Sequence, residues 1–125
     1  MALNFYAKTI TKSAIAATAA TESIDLAGFS KVAIHTIFAT CSGTTNTQVD
    51  FKVQTSNDDS DWVDLVTIVD EAGNDVVDLS GDSYMNFIPE QTVAGDSGIG
   101  RYIRFYLTAS GTFSASYSVK VLARQ

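Results

Sequence analysis

The sequence predicts an all-β chain: a single antiparallel β-sandwich, jelly-roll-like, preceded by a short N-terminal extended arm. Three observations carry this. Apolar and polar residues alternate with a period of two in several stretches, most clearly at Val49, Phe51 and Val53 against Asp50, Lys52 and Gln54. Clusters of Ser, Thr, Asn, Asp and Gly separate those stretches, and their side chains bond nearby backbone in turns. No apolar i, i+3, i+4 stripe develops anywhere beyond the first dozen residues.

Taken in order, residues 1–12 read as the arm and residues 13–125 as the sandwich domain. The stretch 13–21 is ambiguous, because its alanines favour helix while the Ala/Thr alternation permits a strand; without a helical stripe it is read as a strand. Residues 24–30 form a turn with two apolar plugs, bending at Gly28. Residues 31–40 make a strand with Val32, Ile34, Thr36 and Phe38 on one face. Its other face, Ala33, His35, Ile37 and Ala39, is apolar enough to expect a cover on both sides.

The segment 48–68 reads as a hairpin whose tip is the polar run 56–61, with Trp62 expected as an aromatic anchor in the core. Residues 76–79 are a short strand, and residues 84–88 are extended up to Pro89, which cannot donate to a ladder. Residues 91–100 are the longest irregular segment. The two clearest strands close the chain. The first buries Ile103, Phe105 and Leu107 and presents Arg104 and Tyr106; the second, over 113–121, buries Phe113, Ala115, Tyr117, Val119 and Val121. Residues 109–112 between them read as a tight hairpin turn.

At 125 residues the chain suits one domain that buries roughly two-thirds of its unfolded surface. Charged residues are 18% of the chain, too few for a disordered one. No apolar run approaches the ~20 residues that span a bilayer, and the N-terminus lacks the pattern of a signal peptide, so no membrane partner is expected. The lone Cys41 cannot form an internal disulfide and suits assembly in a reducing cytoplasm. The net charge of −6 is unevenly spread: twelve of the fourteen acids fall within residues 50–96 against Lys52 alone. Residues 97–125 carry Arg101, Arg104, Lys120 and Arg124 with no acid. An acidic middle argues against nucleic-acid binding, which needs a basic face to displace counterions. It is either a solvated surface or one of two opposite patches that meet between subunits.

Motifs that might carry chemistry fail on their surroundings. Gly95, Asp96, Ser97 and Gly98 spell part of a serine-protease signature, but His35 is the only histidine and lies mid-strand among apolar residues. Gly81, Asp82 and Ser83 have no histidine after them. The acids and amides at 57–61 and 70–78 depart from the calcium-loop pattern and read as structural turns. One cysteine and one histidine leave a zinc or iron centre without ligands. No catalytic residue, metal or cofactor is expected. Tyr102, Tyr106 and Tyr117 suggest a sugar platform less readily than core or interface positions.

Several of these residues also carry a resemblance. Ile24, Asp25 and Leu26 with Gly28, Phe29 and Ser30 are followed by the run 51–58 and by Trp62, Val63, Asp64 and Leu65; Arg101, Tyr102, Ile103 and Arg104 come late. This succession, over about residues 22–125, resembles small β-sandwich proteins of tailed bacteriophage virions. The resemblance implies a non-enzymatic virion structural protein assembled in the host cytoplasm, with a capsid decoration (cement) role bridging subunits of the major capsid protein. A tail or fibre component, or a carbohydrate-binding module, is the alternative. The expected partners are the major capsid protein and copies of the chain itself, as a homotrimer. No binding residue carries over from the family. From the residues alone, the expected interface comprises Leu3, Phe5, Tyr6 and Ile10 of the arm, His35 and Ile37 of the two-sided strand, and the late cations Arg101 and Arg104.

Overall fold

Alternating stretches become strands only when each finds a neighbour, and in the computed structural model they do so as nested arches. The structure describes residues 5–44, 46–70, 73–74, 76–80, 83–92 (backbone) and 99–125. The strands are β1 (Phe5–Ile15), β2 (Ala19–Ala20), β3 (Ile24–Asp25), β4 (Lys31–Gly43), β5 (Gln48–Ser56), β6 (Val63–Thr67), β7 (Val69–Asp70), β8 (Ser83–Thr92), β9 (Tyr102–Ser110) and β10 (Phe113–Arg124). Antiparallel pairs nest from the outside inwards: β1 with β10, β2 and β3 with β9, β4 with β8, β5 with β6. Folding that long hairpin over on itself adds the pairs β4–β10 and β5–β9. The result is two sheets, β1-β10-β4-β8-β7 (sheet A) and β2-β9-β5-β6 with β3 also on β9 (sheet B). This is the jelly-roll sandwich expected from the sequence.

The inward residues of the two sheets meet in one core. Val49, Phe51 and Val53 of β5, Ile103, Phe105 and Leu107 of β9, and Ala115 and Val119 of β10 are wholly buried. Four rings knit it. Phe51 stacks on Phe105 within sheet B, with centroids 5.8 Å apart. Phe38 lies 5.1 Å from its register partner Tyr117 within sheet A. Phe51 then contacts both across the sandwich, edge-on to Phe38 at 5.2 Å and to Tyr117 at 4.9 Å. Such pairs add to the burial of large apolar areas.

The strand expected over 76–79 reduces to one bridge, Asp50 with Val76, and four further readings change. The segment expected as an arm is, over residues 5–12, the first part of edge strand β1, paired with β10 continuously from Phe5 to Lys12. Ile10 faces inward and is only 2% exposed, and Tyr6 rests on Phe29, so the period-two burial runs through the boundary placed at residue 12. Residues 1–4, including Leu3, lie outside the described residues. The turn at 109–112 does not close a hairpin: β9 and β10 belong to different sheets. Alternation and a tight turn look alike whether two strands pair side by side or face each other across a core. Gly111, at φ +92°, makes this corner, and Thr112 accepts hydrogen bonds from Thr44 N (3.0 Å) and Thr47 Oγ1 (3.2 Å) of the corresponding β4–β5 corner.

Pro89 falls inside β8 rather than at its end. Between the pairs Ile34–Phe87 and Val32–Gln91 the register shifts, so residues 88–90 oppose Ala33 alone. A missing N–H is tolerated at such a bulge. Trp62 is not in the core. It is half-buried on the outside of sheet B, where the Arg104 guanidinium lies 4.4 Å from its ring centroid. The loop 93–98, with Gly95, Asp96, Ser97 and Gly98, and the acids Glu71, Asp75 and Asp82 lie outside the described residues.

Two stability outcomes follow. Phe51→Ala removes the ring that joins both sheets and is expected to cost ~3–5 kcal/mol in urea melts, whereas Trp62→Ala loses a half-exposed stack and costs about 1–2 kcal/mol. Thr36 is wholly buried with an unpartnered hydroxyl. Thr36→Val keeps the shape, removes the unpaired group, and is expected to raise stability by about 1 kcal/mol.

Candidate interaction surfaces

A sandwich has two outer faces and two ends, and charge divides them here. Strands β1, β4 and β10 lie side by side and contain no acid, yet they hold Lys8, Lys12, Lys31, Lys120 and Arg124, five of the eight cations in the chain. Register places their outward residues in rows: Ala7, Leu122 and Ala33; Thr9, Lys120 and His35; Thr11, Ser118 and Ile37. The small side chains of Ala7 and Ala33 on either side of Leu122 leave a shallow depression of about 330 Å³, lined also by Thr9, His35 and Lys120. Leu122 is 45% exposed between them, and Phe5, one row on, is 58% exposed. This face is therefore apolar at its centre, and its outward cations are Lys31, Lys120 and Arg124, since Lys8 and Lys12 share the inward parity of Ile10.

The opposite charge gathers at the β5–β6 tip. Ser56 Oγ accepts N–H bonds from Asp58 (3.2 Å) and Asp59 (3.1 Å) and donates to Asp58 Oδ1 (2.8 Å). The same oxygen of Asp58 accepts the N–H groups of Ser60 (2.9 Å) and Asp61 (2.8 Å). These donors, the Asp61 N–H foremost, hold the Asp58 carboxyl down to about 2. The acid at 58 is thus a turn-maker, as is Asp70, whose Oδ1 accepts Asn74 N at 2.8 Å. Beside the tip, Val63 is 63% exposed, the highest value among the large apolar side chains described.

The outside of sheet B is closed by its own bonds. Arg104 Nε donates to Gln54 Oε1 (2.8 Å), Gln54 Nε2 donates to Asp64 Oδ1 (2.8 Å), and Lys52 Nζ donates to Asp64 Oδ2 (3.2 Å). Hydrogen bonds from Gln54 and then Lys52 lower the Asp64 pKa. The guanidinium that covers Trp62 also stands 5.9 Å from Tyr106, and Tyr117 is in the core, where burial, and then Glu22, push its phenol up to about 12. The three tyrosines weighed as a sugar platform therefore do not share a surface.

The expected interface residues separate. Phe5, His35 and Ile37 share the outside of sheet A. Tyr6 and Ile10 face the sandwich interior, so Ile10 has no surface to offer. Arg104 belongs to sheet B, and Arg101 grips Asp25 through two bonds, Nε to Oδ1 (3.0 Å) and Nη2 to Oδ2 (2.9 Å). Sequence reasoning missed Lys120, Leu122, Ala33 and Val63. Leu122 had a signal: it breaks the outward series Ser116, Ser118, Lys120 one step past where the strand was expected to stop. Among the described residues no group of three or more metal-ligating side chains comes together, and no helix is long and apolar enough to cross a membrane.

No protein-family model matches the chain, and no curated protein matches it in sequence. Solved structures do match. The SPBc2 prophage-derived protein YomS aligns over 100% of this chain and 96% of its own, with a TM-score of 0.54 and 12% identity. A chain of infectious bursal disease virus, Gx strain, aligns over 94% of this chain with a TM-score of 0.59 and 15% identity. One from the VP2 subviral particle of the same virus covers 96%, at 0.56 and 13%. What is shared is the fold. The chain spans about a third of the length of the bursal disease virus chains (32% in both) but nearly all of the prophage-derived protein. A β-sandwich of a kind found in viral proteins is thereby established.

One pH outcome follows from the turn acids. Asp25, held by the Arg101 hydrogen bonds and the Ala27 N–H, and Asp58 both sit at about 2 against an ordinary value near 3.8. The unfolded chain takes up these protons first, so their contribution is complete above the ordinary value and is lost as pH falls from there through about 2. The melting temperature is expected to fall over that window, less steeply in Asp58→Asn; an equal slope in the variant would show that Asp58 contributes nothing.

Proposed function

We propose that this chain is a non-enzymatic structural protein of a bacteriophage virion, acting as a capsid decoration (cement) protein that bridges subunits of the major capsid protein. The observation that carries the reading is the end-to-end match with a prophage-derived protein: 100% of this chain aligns with 96% of that one, so the likeness covers a whole small protein. The chains of virus particles that share the sandwich support it at the level of fold. The surfaces fit a bridging part. An apolar, basic face and an acidic tip lie on one rigid roll, and the polar outside of sheet B is already satisfied by its own partners.

In this reading the protein catalyses nothing and holds no cofactor. Its work is mechanical: apolar area and hydrogen bonds buried at the joints between subunits raise the force or temperature at which the shell opens. A joint of standard size buries about 800 Å² on each partner. The rolled fold ties the first strand to the last along a ladder running from Phe5 to Lys12.

Mixing the purified protein with particles that lack it tests the proposal. The expected result is saturable binding at a fixed number of copies per shell, extra density over joints of the head in electron microscopy, and a higher temperature of genome release. Density confined to the tail, or no binding to particles at all, would overturn the decoration role. Deleting residues 2–12 is expected to destabilise the isolated protein, because it strips the edge strand from β10 and removes Ile10 from the core.

A further inference from the structure

The apolar depression on sheet A and the exposed Val63 beside the acidic tip are both apolar and are complementary in the charge around them. The depression is lined by Leu122, by Ala7 and Ala33 on either side of it, and by Lys120 and His35 one row along. Its three strands contain no acid. Val63, at 63% exposure, is an apolar knob with Asp59, Asp61 and Asp64 close to it in the chain, all exposed. Within one molecule the two cannot meet. The knob belongs to edge strand β6 of sheet B, and the depression is on the far side of sheet A from the core.

From this we infer that the chain binds a second copy of itself head to tail: Val63 of one copy seats in the depression between Ala7, Ala33 and Leu122 of the next, with Asp61 against Lys120. The joint brings together unlike patches, so it closes either as a twofold pair, each Val63 on the other copy's depression, or as a larger ring. Burying Val63 and Leu122 supplies apolar area, and the opposed charges fix the register and disfavour a depression-to-depression pairing. The open edge of β1 is the competing route, strand added to strand, and it would join like surfaces across a twofold axis. Lys8 and Lys12 on that edge strand oppose it, and the charge division between sheet A and the tip favours the head-to-tail joint.

Light scattering on the isolated protein, without particles, tests this separately from any role in a virion. Wild type is expected at a whole multiple, two or more, of the 13.4 kDa of one chain, dissociating as salt is raised. Lys120→Glu and Asp61→Lys each place like charges at the joint and are expected to leave monomers, whereas the double variant reverses both partners and restores the assembly. Val63→Ser, which alters no charge, is expected to weaken the assembly at least tenfold. All are exposed positions, so melting temperatures should stay near that of wild type and exclude misfolding as the cause. A monomeric wild type at 100 μM, an assembly that survives both single reversals, or a double variant that stays monomeric would each overturn the joint. Particle binding by a protein that is monomeric in solution would leave the decoration role standing and remove only this inference.

Discussion

The contact of Phe51 with Phe38 and Tyr117 is the constraint on which the rest of the structure depends. Each sheet carries one in-plane ring pair, Phe51 with Phe105 in sheet B and Phe38 with Tyr117 in sheet A. Those pairs meet only if β4 and β10 lie over β5 and β9 in one register. A slip of one residue in any of the four strands would turn its ring to solvent and bring a Lys, Arg, His or Ser inward. The core therefore fixes not only that two sheets pack, but which residues remain outside. Because Phe38 and Tyr117 point in, Ile37, Ala39, Ser116 and Ser118 must point out, and the composition of the outer face follows from that of the core.

The nested pairing adds a second constraint. Since β9 and β10 lie in opposite sheets, and β4 and β5 likewise, the corners must cross the edge of the sandwich within residues 111–112 and 44–47. They do it together. Gly111 takes a positive φ where an added Cβ would press against Thr47, and the hydroxyls of Thr44 and Thr47 lie 2.8 Å apart between the two corners. Threonines at such a place replace the ladder bonds that each chain leaves at its strand end. Bulges finish the curl: Ala14 and Thr40, both at positive φ, mark register shifts on either side of β10 near Ser114 to Tyr117.

What remains outside is sorted by charge rather than by chemistry. Acids at 58, 70 and 78 each bond to backbone N–H groups within four residues, so their carboxylates are committed to turns. Among the cations of β1, β4 and β10, Lys12 pairs with Glu22 at 2.9 Å. A protein arranged in this way presents one apolar face with outward cations and one acidic end. The same arrangement offers no buried pair of titratable groups among the described residues.

The sequence by itself determined the period of each strand and hence the core: Val49, Phe51, Val53, Ile103, Phe105, Leu107 and Val119 are all wholly buried where the alternation put them. It also determined the turn acids and the all-β class, because period two and side-chain-to-backbone bonding are local properties of the chain. Only the tertiary structure decided which strand lies beside which. Alternation says that a residue faces inward but not into which sheet, so the 109–112 corner read as a hairpin and β1 read as an arm. Trp62 shows the same limit. At the edge of a strand an indole can satisfy itself equally against a core or beneath a guanidinium, and Arg104, forty-two residues away in the chain, made the choice. The depression on sheet A was likewise invisible beforehand, since Ala7, Ala33 and Leu122 become neighbours only through the two ladders that place β10 between β1 and β4.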